Sequence, residues 1–269
     1  KPGNGMWIED PGFPLIRPIV TRHDVEILPV PVDDNGLDIT SGIQNYPDAR
    51  FALITPAHQS PLGVALSLAR RHQILEWADR SQAWIIEDDY DSEFRYHGKP
   101  LPALKSLDAP QRVIYAGTFS KALFPALRCA WLVVPVKQIA QFRHQASLAP
   151  CAVPVLWQNT LADFLREGHF WRHLKKMRQH YAQRRQWIEQ ALTQQGFQVV
   201  PQKGGIQMVI RMIGDDIAHA RKANAAGLAV QALSDWRIRS SGEGGLLLSF
   251  TNIVNEGMAR QVAQQLRKA

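Results

Sequence analysis

Residues 113–135, VIYAGTFSKALFPALRCAWLVVP, place reactive groups directly after an apolar run. The run ends in a turn of small and hydroxyl-bearing residues, presents Lys121, and meets an arginine at Arg128. Thr118, Ser120 and Arg128 are suited to binding a phosphate, two as hydroxyl donors and one as a forked cation. A lysine amine held beside an aldehyde cofactor forms an imine, provided an apolar and partly dehydrated setting keeps the amine unprotonated. Ala122, Leu123, Phe124 and Leu127 are the residues that would supply this setting. The plain alternative is an exposed turn lysine.

A second segment, AWIIEDDYDSEFRY from Ala83, puts three acids directly after an apolar run and follows them with a tyrosine. Pyridoxal 5'-phosphate needs a carboxylate against its ring nitrogen, which then stays protonated and makes the ring an electron sink. Asp88 is the candidate for that carboxylate. Tyr90, two residues on, is the candidate partner of the ring's phenolic oxygen. A cluster of acids binding magnesium is the rival reading. The third segment, TPAHQSPLG from Thr55, offers His58 or Gln59 to the ring oxygen. Its Ser60 and Pro61 are equally explained as the cap and first turn of a helix starting near Leu62.

These segments need a scaffold that brings them to one edge. Apolar β-rich runs begin at Val25, Phe51, Ala83, Arg112 and Cys129 and read as buried strands. Between Phe51 and Glu87 the stretch LGVALSLARRHQILEWADR carries Leu66, Ala69, Ile74, Trp77 and Ala78 at helical spacing. Strand–helix–strand units build mainly parallel sheets, and ligands bind beyond the carboxyl ends of such strands. All three segments fall there. A long helical stretch is expected from about Trp157 to Gln195, followed by QVV, GIQMVI and LLLSF as short strands of a smaller α/β unit. Prolines 150 and 154 mark a boundary, dividing the chain into 1–152 and 153–269.

Composition narrows the function classes. The 269 residues are 45% hydrophobic with a net charge of +7, which suits a globular core and favours an anionic partner only weakly. No apolar run approaches the roughly 20 residues of a membrane span, and KPGNGMWIEDPGF lacks the order of a secretion signal, so a cytoplasmic setting is expected. Cys129 and Cys151 show no zinc spacing and read as reduced, buried thiols, and no metal site is expected. From Arg166 to Arg185 there are seven Lys or Arg residues interleaved with aromatics. Nucleic-acid contact is one reading; a solvated helix face is the preferred one.

Taken together, EDDYDSEFRYHGKPLPALKSLD, YAGTFSKALFPALR and TPAHQSPLG resemble the motifs of the MocR subfamily of GntR-type transcriptional regulators. The effector domain of that subfamily resembles a fold-type I, pyridoxal-phosphate-dependent aminotransferase. The resemblance is most specific from Met6 to Pro135 and looser beyond. It implies an α/β fold, with a large domain of mainly parallel sheet and a smaller C-terminal α/β domain. It implies Lys121 as the Schiff-base lysine, Asp88 at the pyridine nitrogen, Tyr90 at the ring hydroxyl, and Thr118, Ser120 and Arg128 on the phosphate side. A homodimer, a small amino-compound effector and DNA binding through a winged helix-turn-helix are implied for the full-length protein.

Similar proteins carry that winged helix, a linker and part of the phosphate cradle upstream of the point where MWIEDPGF begins. The chain is therefore expected to be N-terminally truncated, with weakened cofactor binding. A second departure concerns the substrate, because Leu247 stands about where many such aminotransferases carry a carboxylate-gripping arginine. Arg239, or Arg237 beside it, is the candidate replacement, and each is equally readable as a surface arginine. A sensing module is the leading expectation, with a free-standing aminotransferase acting on an amino acid as the alternative.

Overall fold

The computed structural model describes residues 4–99, 101–148, 153–239 and 242–269. Strands β1 (Gly5–Asp10), β2 (Glu26–Asp33), β3 (Gly36–Leu37), β4 (Phe51–Ile54), β5 (Trp84–Asp89), β6 (Val113–Thr118) and β7 (Ala130–Val133) form one sheet in the order β3-β2-β1-β4-β5-β6-β7. The central pairings β2/β1, β1/β4, β4/β5 and β5/β6 are parallel. The outer pairs β2/β3 and β6/β7 are antiparallel. Strand order reverses direction between β1 and β4, which opens a crevice at their carboxyl ends.

Eight helices accompany the strands among the described residues: α1 (Ile16–Thr21), α2 (Ile39–Asn45), α3 (Leu68–Arg80), α4 (Ile139–Leu148), α5 (Val155–Arg166), α6 (His169–Gln194), α7 (Asp216–Ala225) and α8 (Glu256–Lys268). The second sheet is antiparallel and holds β8 (Gln198–Val199), β9 (Gln207–Met212), β10 (Val230–Ala232) and β11 (Gly244–Ser249) in the order β10-β11-β9-β8. Each sheet has its own core. Trp7 of β1 stacks on Trp77 of α3 at 3.9 Å between ring centroids, surrounded by Val30, Ala52, Ile74 and Ile85. Ile188 and Leu192 of α6 pack with Met208, Ile210, Leu246 and Leu266 under the second sheet.

Strand β1 is buried along its whole length, because it lies between β2 and β4. Several expectations are corrected. The helix after β4 starts at Leu68 instead of near Leu62, since Gly63 adopts a φ of +74° and Ser67 accepts from Arg70 N as the true cap. Ala69 is exposed, and the buried face of α3 uses Arg71, Ile74, Leu75, Trp77 and Ala78. The long helical stretch is two helices, broken at Gly168 with φ +74°. Strand β7 is largely exposed, not buried, because it lies at the sheet edge with Leu132 and Val133 on the surface. Cys129 is buried as a free thiol, whereas Cys151 and the boundary at 149–152 lie outside the described residues.

The basic stretch of α6 leaves Arg172, Lys175 and Lys176 exposed, as on a solvated helix face, and ties other members to the fold. Arg178 donates to Glu93 O at 2.6 Å, Arg184 to Thr251 O, Arg185 to Glu189, and the His173 ring contacts Ala122 O at 2.9 Å. No helix among the described residues is long and apolar enough to cross a membrane.

Candidate functional site

Alternation along β5 separates Asp88 from its two acidic neighbours. Side chains of successive strand residues point to opposite faces, so Asp88 faces away from Glu87 and Asp89. The Glu87 carboxylate accepts from Leu104 N at 2.7 Å and Lys105 N at 2.8 Å. Asp89 accepts from Ser92 Oγ and from the Tyr115 hydroxyl, both at 2.8 Å. Asp88 alone of the three lines the cavity between the two sheets. Converging metal ligation by this run is thereby replaced with three separate roles.

That cavity has a volume of about 730 Å³. Thr55 and Ser60 line it from the segment after β4, Asp88 and Tyr90 from the end of β5 and just beyond, and Lys121 from the turn after β6. The opposite wall is made by Phe13 and Leu15, by Arg221 of α7, and by Gln231, Asp235 and Trp236 around β10. Parallel register explains the convergence on the first wall. Ile54 lies opposite Glu87 and Asp88 opposite Ala116, so the three strands finish at one level and their following turns face one space.

The site strains its acids. Burial, then the charges of Asp89 and Asp91, push the Asp88 carboxyl up to about 6, and Lys121 opposes this as a nearby cation. Burial raises the Tyr90 phenol well above its usual range, with Asp91, Asp88 and Glu9 adding negative charge and the Ser60 hydroxyl countering. Glu9, 6% exposed, is raised to about 7 by burial although it accepts from Thr55 N at 3.1 Å, Thr55 Oγ1 at 2.5 Å and Gln59 Nε2 at 3.1 Å. An array of hard-to-ionise acids beside one amine is a recurrent signature of a functional crevice.

The remaining sequence candidates fall elsewhere. Thr118 and Ser120 are outside the cavity lining, with their hydroxyls 3.0 Å apart, and Arg128 is exposed in the left-handed region at φ +49°. His58 does not face the cavity: its Nδ1 lies 3.1 Å from the Tyr90 hydroxyl and 3.2 Å from Asp91 Oδ1, behind the tyrosine. Gln59 is buried and bonded to Glu9 and to the carbonyls of Pro11 and Ser60. Arg239 is turned away, donating to the Tyr46 hydroxyl at 2.6 Å, because its backbone and that of Ile238 are tethered to the Asp10 carboxylate. Leu247 is buried against Val209, Leu233 and Trp236.

The apolar sleeve expected around Lys121 is also corrected. Lys121 is exposed, and Leu123, Phe124 and Leu127 instead face Trp157, Leu161 and Phe164 of α5. Reading the sequence missed Ser60, Thr55 and Glu9 as neighbours of the site. Glu9 had a usable signal, since MWIED ends an apolar strand in acids just as AWIIEDD does.

The fit of this lining to pyridoxal 5'-phosphate can be tested on its donors. A carboxylate, a phenol and a primary amine, carried by the end of β5 and by the turn after β6, share one cavity large enough for a small aromatic molecule, and the chemistry of this set fits that group.

The fold is that of the fold-type I, pyridoxal-phosphate-dependent aminotransferases. The kynurenine aminotransferase of Pyrococcus horikoshii has a TM-score of 0.90 at 24% identity, covering 100% of this chain and 69% of that one. A multiple substrate aminotransferase from Thermococcus profundus has a TM-score of 0.88 at 25% identity, again over 100% of this chain and 69% of the other. The family described as "Aminotransferase class I and II" matches residues 1–242, and the chain belongs to that family.

Within it, the chain resembles MocR and other GntR-type regulators. It is 34% identical over 273 residues to the probable rhizopine catabolism regulatory protein MocR of Rhizobium meliloti, covering 99% of this chain and 55% of the relative. It is 32% identical to the pyridoxine biosynthesis transcriptional regulator PdxR of Corynebacterium glutamicum, over 91% of this chain and 53% of that protein. An uncharacterized HTH-type transcriptional regulator, YdeL, of Bacillus subtilis is 40% identical over 71% of this chain and 41% of its own length. The chain thus spans about half the length of the curated relatives it matches.

Proposed function

We propose that this chain is the effector-sensing, aminotransferase-like part of a cytoplasmic MocR-type regulator that holds pyridoxal 5'-phosphate covalently through the Lys121 amine. The observation that carries the proposal is the meeting of Asp88, Tyr90 and Lys121 in one cavity, although they come from two separate stretches of sequence. Bound there, the cofactor supplies an aldehyde that takes up primary amines and a ring that draws in electrons when its nitrogen is protonated. Asp88 is assigned to that nitrogen, where a cation would favour ionisation of the carboxyl that burial otherwise resists. Tyr90 is assigned to the ring hydroxyl. Thr118, Ser120 and Arg128, on the turns flanking Lys121, are assigned to the phosphate side.

In the full-length protein a winged helix-turn-helix binds DNA, the protein acts as a homodimer, and a small amino compound is the effector. The division into 1–152 and 153–269 is supported by the two separate sheets, the first ending with β7 at Val133 and the second beginning with β8 at Gln198. A free-standing amino-acid aminotransferase is less well supported, because Leu247 is packed in a core and the relatives at 32–40% identity are named as regulators, whereas an aromatic-amino-acid aminotransferase matches at 26%. The test is the visible absorbance of the full-length protein loaded with pyridoxal 5'-phosphate. The band is expected in the parent protein and absent in Lys121→Ala; a band that survives the substitution overturns the assignment of the amine.

A further inference from the structure

Behind Tyr90 sits a pair of side chains that the site described above does not use. His58 Nδ1 is 3.1 Å from the Tyr90 hydroxyl oxygen and 3.2 Å from Asp91 Oδ1, and Asp91 is 2% exposed. The other ring nitrogen, Nε2, has no hydrogen-bond partner among the described residues, so the ring's hydrogen bonding runs through Nδ1. The ring is also caged. Gly205, at φ +87°, lies so close that a Cβ there would meet His58 Cε1 at 2.1 Å. Its backbone is pinned by Gly205 N donating to Phe94 O at 2.8 Å and by the Tyr96 hydroxyl donating to Gly205 O at 2.9 Å. The loop before β9 thus presses the imidazole onto the segment after β5.

The chemistry of the three partners fixes the direction of the hydrogen bonds. A carboxylate only accepts, so Asp91 favours the tautomer that carries hydrogen on Nδ1. One N–H is then shared between the carboxylate and the phenol oxygen. A phenol that accepts from behind has its own hydrogen free to point the other way, toward the cavity that Tyr90 lines with Ser60. Hydrogen bonds in such a chain strengthen one another, making the phenol a better donor.

We propose that His58, oriented by Asp91, is a positioning residue that turns the Tyr90 hydroxyl proton into the cavity. The inference rests on the reading that Tyr90 meets the ring oxygen of pyridoxal 5'-phosphate. The charged groups around this relay are Asp91 and Arg95 on its own segment, Asp88 from β5 and Glu9 from β1, with Lys121 lining the same cavity as Tyr90. The loop before β9 brings only the glycines 204 and 205 to the imidazole.

A donor at the ring oxygen stabilises that oxygen's anionic form, so weakening the donor raises the pH at which the bound chromophore changes its visible absorbance. The experiment is a spectrophotometric pH titration of the full-length protein loaded with pyridoxal 5'-phosphate. His58→Leu is expected to raise the midpoint by about half a unit to one unit, the scale of one hydrogen bond. His58→Asn, whose amide N–H takes the place of Nδ1–H, is expected to hold the midpoint near the parent value. In a Tyr90→Phe background, His58→Leu is expected to add nothing. Asp91→Asn is a near-isosteric second variant that serves where His58→Leu does not fold. Its amide donates to Nδ1, reverses the tautomer and raises the midpoint as well. An unmoved midpoint in the variants read, or a His58→Leu shift that persists without the Tyr90 hydroxyl, overturns the proposal. Loss of the visible band from the parent protein sinks the cofactor reading itself; a normal band with an unmoved midpoint sinks only the role of His58.

Discussion

Strands β5 and β11 both run through apolar interiors, yet they end in opposite chemistry. β5 reads WIIEDD and passes from buried isoleucines to acids at its carboxyl end. β11 reads GGLLLS and keeps Leu246, Leu247 and Leu248 at 0%, 2% and 4% exposure. Around the end of β5, burial raises Glu9 and Glu93 to about 7 and Asp88 to about 6. Beside β11 the buried acid Asp216 accepts from Ser234 N at 3.0 Å and Gly245 N at 2.9 Å and so serves the fold. One sheet edge accepts a cost in stability in order to hold reactive groups; the other sheet supplies packing and the far wall of the cavity.

The largest expected break of this contrast is Leu247→Arg, which would restore the charge that many fold-type I aminotransferases carry there. Val209, Leu233 and Trp236 surround the side chain, and none offers a carboxylate. An unpaired cation in that setting is expected to cost on the order of 3–5 kcal/mol. Urea unfolding of the variant measures this. A variant of parent stability that gains affinity for amino-acid carboxylates would erase the distinction between the two sheets.

Glu9→Gln probes the strained edge. The folded-state carboxyl is raised from 4.5 to about 7, with burial the first cause. Below pH 4.5 both folded and unfolded chains hold the proton; between 4.5 and about 7 the unfolded chain releases it while the folded one retains it. Stability therefore falls as pH rises through that window and is level above it. At about 1.4 kcal/mol per unit, the penalty is on the order of 3 kcal/mol. The substitution is expected to flatten part of the descent in urea melts across this pH range. A residual slope belongs to Asp88 and Glu93, whose carboxyls are raised in the same way. An unchanged slope would mean that Glu9 is not among the strained groups.

A smaller effect separates the acids of one segment. Asp88→Ala is expected to weaken pyridoxal 5'-phosphate binding by the full-length protein about tenfold or more, the worth of one charge-assisted hydrogen bond. Asp91→Ala, which removes the partner of His58 and a nearby negative charge but no group that lines the cavity, is expected to weaken it less. Fluorescence or absorbance titration of the cofactor checks the order, and equal losses would undo the assignment.

The pattern of legibility follows the same division. Apolar runs and a helical repeat were enough to place β2, β4, β5, β6 and α3, because burial in a parallel sheet demands continuous apolar sequence. The acids after β5 and the amine after β6 were equally visible, since polar groups at strand ends stand out from their context. Side-chain direction was less accessible. Ser60 looked like a helix cap until Gly63 turned the chain, and His58 looked like a ligand contact although the Gly205 backbone holds it behind Tyr90. Strand β10 is three residues long and gave no periodic signal. The tether of Ile238 N and Arg239 N to Asp10 spans more than two hundred residues, beyond the reach of local pattern.

That tether leads to the smallest expected effect. The backbone of the segment after β10 is held by the Asp10 carboxylate at 2.8 Å and 3.1 Å, and these bonds use peptide N–H groups that any residue at 239 retains. The guanidinium adds one exposed contact, to the Tyr46 hydroxyl. Arg239→Ala should therefore lower stability by no more than about 1 kcal/mol, as for a single partly exposed hydrogen bond. It should also leave binding of an amino-compound effector unchanged, since Arg239 is not among the residues lining the cavity. Calorimetric titration of the full-length protein with candidate amines checks this. A large loss of affinity in Arg239→Ala would mean that the segment swings inward when the site is filled, and that the four-stranded sheet contributes chemistry as well as a wall.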